Sequence, residues 1–205
     1  MNIHHFETPI PYITINDLFD SDELDLIWEE LKFLGHKEKL FSPEDTGSAS
    51  NTTENNEKIL LKKNNGVWVD HVYTDRKFSN ILSLNRKIYS YRQFIWLNHP
   101  HWFFKQDSSF TDTTLISYYE NSDYYHSHKD QAYFTCITWF FNNPKRFEGG
   151  NLFFDDYDTK IKIENNKAVI FPSVIKHSVD EIKMSSEYQN KGMGRFSMTQ
   201  FANIS

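Results

Sequence analysis

One cysteine, seven glycines and six prolines are all that this 205-residue chain holds of the residues that staple, hinge or punctuate a fold. Cys136 has no partner in the chain, so an intramolecular disulfide is excluded, which fits a reducing compartment. It lies in the apolar run 133–141, where a free thiol acts more often as a small hydrophobe than as a nucleophile. The low glycine count and the lack of any internal repeat exclude fibrous and repeat architectures. Positive charge is also scarce, with 22 Lys and Arg against 28 Asp and Glu and a formal net charge of −6. Nucleic-acid backbones and anionic membranes both reward a basic face, so neither is expected as the main partner. No stretch approaches the ~18 apolar residues of a membrane span. The N-terminus lacks a basic region followed by an apolar run of signal length. The expectation is a soluble, cytoplasmic protein of undefined oligomeric state.

What the chain does hold is aromatic. Phe, Trp and Tyr make up 17% of it, which points to a bulky core. Its length suits a single domain over 1–205 that buries roughly 70% of its unfolded surface. Residues 8–15 alternate and are proline-punctuated, as in a short edge strand. Asp20 to Glu23 offer an N-cap and an acidic first turn. Leu24, Ile27, Trp28, Leu31 and Leu34 follow at helical spacing, and Gly35 closes a helix that should pack on a sheet. Residues 42–57 carry almost nothing apolar and read as a polar loop without structure of its own, a lid at an active-site mouth or a solvated insertion. A turn is expected at 64–66, with Trp68, Val69, Val72 and Tyr73 returning to the core. A second amphipathic helix is expected over 79–90 and a short helical stretch over 91–98.

After Asp112 the pattern turns to strands, expected at 113–119, 132–141, 152–154, 160–163, 168–171, 176–182 and 195–202. Helices first and strands afterwards argue an α+β, mainly β fold, an antiparallel sandwich or barrel with helices on one face. Residues 1–112 form the helical support and polar loop in this reading, and 113–205 the catalytic core.

One imidazole and one carboxylate, His128 and Asp130, stand two residues apart. On an extended strand such positions share a face, so both groups can reach one point. His177 follows on a later expected strand, after the turn at Phe171-Pro172-Ser173. Arg195 stands on the last strand with Ser197 at the same parity, able to hold a carboxylate by a guanidinium fork plus a hydroxyl. Two histidines and one carboxylate make a facial triad that leaves coordination positions open for reactants. A structural zinc site wants four closed ligands, usually with thiolates, and one cysteine does not supply them.

The segment from Leu115 to Phe201 resembles the prolyl 4-hydroxylase-like iron(II)/2-oxoglutarate-dependent dioxygenases. The matching pieces are Tyr119, Tyr125-His126-Ser127-His128-Lys129-Asp130 and Thr138-Trp139-Phe140-Phe141-Asn142. Glu148-Gly149-Gly150-Asn151-Leu152-Phe153-Phe154, Val169-Ile170-Phe171-Pro172, His177-Ser178-Val179 and Gly194-Arg195-Phe196-Ser197 complete them. The resemblance implies a double-stranded β-helix, or jelly roll, with His128, Asp130 and His177 as Fe(II) ligands. It implies Arg195 on the distal carboxylate of 2-oxoglutarate, helped by Ser197, and Tyr119 against the same co-substrate. The activity it implies is hydroxylation of an unactivated C–H bond by dioxygen, with decarboxylation of 2-oxoglutarate to succinate and CO2 and with ascorbate (vitamin C) as a possible reductant. A small-molecule, amino-acid or peptidyl (prolyl) substrate is implied with it.

Two departures bear on the co-substrate contacts. Some relatives carry a tyrosine on the strand here occupied by Trp139-Phe140-Phe141, and Phe140 has no hydroxyl, which leaves Ser197 or Thr138 to assist Arg195. The spacing from His177 to Arg195 is long, and 183–191 reads as a polar loop that accounts for it. His126 shares strand parity with His128 and so could be a ligand of a cupin-type His-x-His site. The glutamate such a site expects is replaced by Ala132 and Tyr133, so His126 reads instead as a neighbour of the site. A cupin-type metal-dependent dioxygenase or isomerase is the second enzymatic reading, and a non-catalytic jelly-roll sensor or binding module the third. Asp155, Asp156 and Asp158, and separately Lys58, Lys62 and Lys63, read as solvated charge clusters.

Overall fold

The structure is a computed structural model, and it describes residues 1–47, 50–52 and 58–205. In chain order the elements begin with strands β1 (Asn2–Phe6) and β2 (Tyr12–Asn16) and helix α1 (Ser21–Leu34). Then come β3 (Ser50–Thr52), β4 (Lys58–Leu60), β5 (Asn65–Trp68), α2 (Val69–Val72), α3 (Asn80–Leu84) and α4 (Lys87–Ser90). The strand-rich half contains β6 (Phe110–Tyr119), β7 (Tyr125–His128), β8 (Phe134–Phe141), β9 (Phe147–Glu148) and β10 (Leu152–Phe154). It ends with β11 (Thr159–Ile161), β12 (Lys167–Pro172), β13 (His177–Val179), β14 (Lys183–Met184) and β15 (Arg195–Ile204).

Two antiparallel sheets dominate. The major sheet has the order β1-β2-β12-β8-β15-β6-β5, and the minor sheet β11-β10-β13-β7. Strand β8 shows why the major sheet sits in the middle of the molecule, since all eight of its residues are buried. Cys136 and Phe140 belong to the core shared with the helices, and Ile137, Trp139 and Phe141 to the core facing the minor sheet. A strand covered on both faces reads as a continuous apolar run rather than an alternation. The architecture is the expected mainly-β jelly roll, with the helices on one face of the major sheet.

The N-terminal supports follow local chemistry. The Asp20 carboxylate accepts from the Glu23 amide at 3.0 Å while the Glu23 carboxylate accepts from the Asp20 amide at 2.9 Å, a complete capping box for α1. Ile27, Leu31 and Leu34 are buried, and Trp28 meets the rings of Phe140 and Phe196 edge-on. Gly35 ends the helix with an ordinary φ of −75°; a Cβ there would stand 2.6 Å from the Phe196 ring, so close approach to the sheet is what requires glycine. The buried Glu30 carboxylate accepts from the Ser79 hydroxyl and the Ile81 amide, tying α1 to α3.

Several expectations need correction. The proline-punctuated stretch is no edge strand: β2 lies between β1 and β12, and Pro9 and Pro11 fall in the turn that precedes it, while β1 takes the edge. The polar segment 42–57 is not without structure, because β3 pairs with β4 as a two-stranded ribbon; its remainder at 48–49 and 53–57 lies outside the described residues. The turn expected at 64–66 is instead the start of β5, which pairs with β6. Val72 is exposed rather than returned to the core. The helix over 79–90 is broken at Asn85 and Arg86 into α3 and α4, and Ser79 caps the first of them by accepting from the Leu82 amide at 3.0 Å. Residues 183–191 are not all loop, since β14 pairs with β9.

Candidate metal centre

His128 ends β7 and His177 opens β13, and the two are direct partners across the ladder. Each ring is fixed from behind by the chain two residues earlier. The Nδ1 of His128 stands 2.8 Å from the His126 carbonyl, and the Nδ1 of His177 stands 2.8 Å from the Ile175 carbonyl. A carbonyl can only accept, so both Nδ1 atoms carry a proton, and both Nε2 atoms are turned forward. Asp130 meets them there, its two oxygens 3.7 Å from His128 Nε2 and 3.4 Å from His177 Nε2. One ligand atom from each of the three lies within 4.8 Å of the others. Burial, then the neighbouring His177, push the His128 pKa down to about 3, which keeps this imidazole neutral. Two imidazoles so oriented and a carboxylate converging on one point fit a divalent cation with open positions.

Asp130 reaches the point for a different reason than strand parity. It lies beyond the end of β7, in a loop held by its amide on the Ser173 carbonyl at 3.1 Å. The Thr135 hydroxyl donates to its Oδ2 at 2.7 Å. Parity also fails for His126. Tyr125 opposes Val179 while His128 opposes His177, so β7 spends one more residue than β13 over the same span. That bulge turns Tyr125 and His128 to the same side, with ring centroids 3.5 Å apart, and sends His126 outward to stack on Tyr124. The part of His126 that serves the site is its carbonyl.

Behind the two histidines stands Asp155, which is not a solvated member of an acidic run. Its carboxylate accepts from the hydroxyls of Ser127 and Ser178, the residues next to His128 and His177. Its amide bonds the Lys176 carbonyl at 3.0 Å. One carboxylate thus ties the two histidine strands together. Lys62 also departs from the solvated reading. It is 5% exposed, its ammonium donates to the Thr46 hydroxyl at 2.7 Å, and desolvation lowers its pKa to about 8.

The cavity in front of these three side chains runs inward between the sheets, lined by Tyr119, Trp139, Arg195 and Ser197 among others. Arg195 is 1% exposed and its guanidinium lies 4.1 Å from the centre of the Tyr119 ring. Its Nε and Nη2 have no hydrogen-bond partner among the described residues. Burial pulls its pKa down to about 10, still far above neutrality. A buried, charged and unpaired guanidinium is costly unless an anion completes it. Gly150 adjoins this group, and what calls for glycine there is its φ of +72°; a Cβ would only make ordinary contact with Arg195 Nε at 3.5 Å.

The structure therefore brings His128, Asp130, His177, Tyr119, Arg195 and Ser197 to one cavity. Thr138 is not brought there. It shares the parity of Cys136 and Phe140, on the helix side of β8, and the residues of that strand lining the cavity are Ile137 and Trp139. Phe140 is likewise on the far side, so its missing hydroxyl has no bearing on Arg195. Ser117, Trp139 and Thr199 line the cavity without having been singled out from the sequence. The parity that paired Arg195 with Ser197 also reaches Thr199, and that of Tyr119 reaches Ser117.

Residues 114–203 match the family model of the 2OG-Fe(II) oxygenase superfamily. No curated protein matches the chain in sequence. Among solved structures, a Pseudomonas putida prolyl-4-hydroxylase is similar with a TM-score of 0.58 and 12% identity, over 95% of this chain and 92% of that one. The viral collagen prolyl hydroxylase of Paramecium Bursaria Chlorella virus-1, solved as a 2OG complex, gives a TM-score of 0.55 and 14% identity over 95% and 96%. A 2OG-Fe(II) oxygenase family oxidoreductase from Burkholderia pseudomallei gives 0.58 and 12% over 94% and 84%. At these identities the likeness is one of fold.

Proposed function

We propose that the chain is a 2OG-Fe(II) oxygenase, the superfamily whose model residues 114–203 match, and that its own residues perform the chemistry as follows. His128, Asp130 and His177 would hold Fe(II), and Arg195 would take the distal carboxylate of 2-oxoglutarate. The single observation that carries the second assignment is the buried guanidinium with two unpartnered nitrogens at the inner end of the cavity. Ser197 offers a hydroxyl beside it, and the Tyr119 ring fixes the guanidinium plane from below. Bound together, Fe(II) and 2-oxoglutarate supply hydroxylation of a C–H bond by dioxygen, with release of succinate and CO2.

The protein's own contributions are positional. The His126 and Ile175 carbonyls orient both rings with Nε2 forward, and the Thr135 hydroxyl and Ser173 carbonyl fix Asp130. Tyr125 covers one face of His128, and the aromatic walls of Tyr119 and Trp139 keep water from the inner cavity. We read 1–205 as one catalytic unit in which 1–112 supports the core 113–205. Its substrate is a small molecule, an amino acid or a peptide, prolyl peptides first, and its reductant ascorbate. No helix among the described residues is long and apolar enough to cross a membrane, and we place the protein in the cytoplasm.

The test is succinate release from 2-oxoglutarate under Fe(II), ascorbate and air, screened over prolyl peptides and free amino acids. Substrate-dependent succinate that disappears in Arg195→Met supports the reading. Iron and 2-oxoglutarate binding without succinate from any substrate would favour a non-catalytic sensor.

A further inference from the structure

Among the described residues Lys62 is the only buried lysine, and strand pairing sets where it points. The strip 61–63 lies antiparallel along β7. The His126 amide donates to the Leu61 carbonyl at 2.7 Å, and the Lys63 amide to the Tyr124 carbonyl at 2.9 Å. Between those bonds Lys62 stands directly opposite Tyr125. Such a pair exchanges no hydrogen bond of its own, and its side chains lie close together on one face of the sheet. Tyr125 faces the metal side, so Lys62 faces it too.

The ammonium lies 5.8 Å from the centre of the Tyr125 ring, a cation over a π face. That ring is stacked on His128, with centroids 3.5 Å apart and planes 11° from parallel. The charge is thus no farther from the His128 ring centre than these two spans laid end to end. Among the described residues its hydrogen-bond partner is the Thr46 hydroxyl, and it forms no ion pair. Glu44, the carboxylate whose charge acts on it, is exposed. Desolvation brings the Lys62 pKa down only to about 8, so at pH 7 the group is charged. A buried cation beside a cation site is costly twice, in lost hydration and in repulsion of the ion. The repulsion grows with the charge of that ion, so it disfavours Fe(III) more than Fe(II).

We infer that Lys62 is a positioning residue of the metal centre, whose charge, set over the Tyr125 ring, biases bound iron toward Fe(II). The inference rests on the iron reading of His128, Asp130 and His177. A unit charge at ~12 Å, acting through an effective dielectric of about 20, shifts a one-electron equilibrium roughly tenfold. Fe(II) is the state from which the proposed chemistry starts, so this bias keeps the centre ready and lightens the demand on ascorbate. It also gives the supporting half of the chain, which carries the strip 61–63, a part in the chemistry of the core.

The experiment is an anaerobic redox titration of the iron-loaded full chain at pH 7, with mediators, following high-spin Fe(III) by electron paramagnetic resonance. Lys62→Met and Lys62→Gln remove the charge, and the Gln variant keeps a donor for Thr46. Lys62→Arg keeps the charge, and circular dichroism identifies the folded variants. The Fe(III)/Fe(II) midpoint should fall in the neutral variants by the equivalent of a tenfold shift, about 59 mV for one electron. In Lys62→Arg it should stay near the parent value. An unchanged or raised midpoint in a folded neutral variant overturns the inference, as does an equal fall in Lys62→Arg. Fe(II) binding by the parent is measured first. Its absence overturns the iron reading and this inference together, whereas bound iron with an unmoved midpoint overturns this inference alone.

Discussion

The two ends of the inner cavity are built on opposite principles. At the metal end almost every atom not facing the cation point is already engaged: both Nδ1 atoms on carbonyls, Asp130 on Thr135 and the Ser173 carbonyl, and the histidine strands bound together through Asp155. At the other end Arg195 is buried with two nitrogens that no described residue satisfies. The first arrangement is complete without its ion and holds its geometry by second contacts. The second is incomplete without its anion and carries an electrostatic cost until one arrives. Preorganisation can thus mean a frame made rigid around a cation point, or a charge held ready for an anion.

Variants separate the two ends. The largest effect is expected from Asp130→Ala, which removes a donor from the cation point. Fe(II) affinity should fall by more than the ~100-fold upper range of outer contacts, followed by anaerobic titration of the Fe(II)–2-oxoglutarate absorption band. Retention of the band at full strength would remove Asp130 from the ligand set. Arg195→Met comes next and should act in the opposite sense on stability. Without 2-oxoglutarate its melting temperature should equal or exceed that of the parent, because an unpaired buried charge is gone. Its 2-oxoglutarate affinity should fall by roughly 30-fold or more, the ~2–5 kcal/mol of a truncated buried charge pair, while Fe(II) affinity holds. A variant that melts early and loses both ligands together would make Arg195 a structural residue.

A smaller effect tests the frame itself. Asp155→Ala should weaken Fe(II) by about 10-fold, in the range of outer contacts to ligating residues, and Asp155→Asn should restore part of it through one serine bond. The smallest effect is a null on the far side of β8. Burial pushes the Cys136 thiol up to about 12, so at pH 8 it stays protonated. Iodoacetamide should leave the folded protein unlabelled over hours, as mass spectrometry would record, and rapid labelling would contradict the burial of β8.

The sequence carried most of the site and less of the support. His128, Asp130, His177, Arg195 and Ser197 could be chosen because residue type and alternation on strands are local signals, and Tyr119 because the resemblance placed it against the co-substrate. Alternation misleads where a strand ends or bulges, and that is what displaced His126 and gave Asp130 a loop for its support. Thr138 was misjudged because a strand buried on both faces shows no contrast from which to read direction. The ribbon was missed because β3 is wholly polar and its order comes from pairing with β4. Asp155 and Lys62 looked like solvated charges because their partners, Ser127, Ser178 and Thr46, are distant in sequence and ordinary in composition.

The strip 61–63 has one more consequence. Strand β7 is the last of its sheet, and an open strand edge is a template on which another chain can add itself. The bonds from His126 to Leu61 and from Lys63 to Tyr124 occupy that template with the protein's own chain. This segment shields the strand that bears His128 from edge-to-edge pairing, so shortening it trades a closed border for an adhesive one.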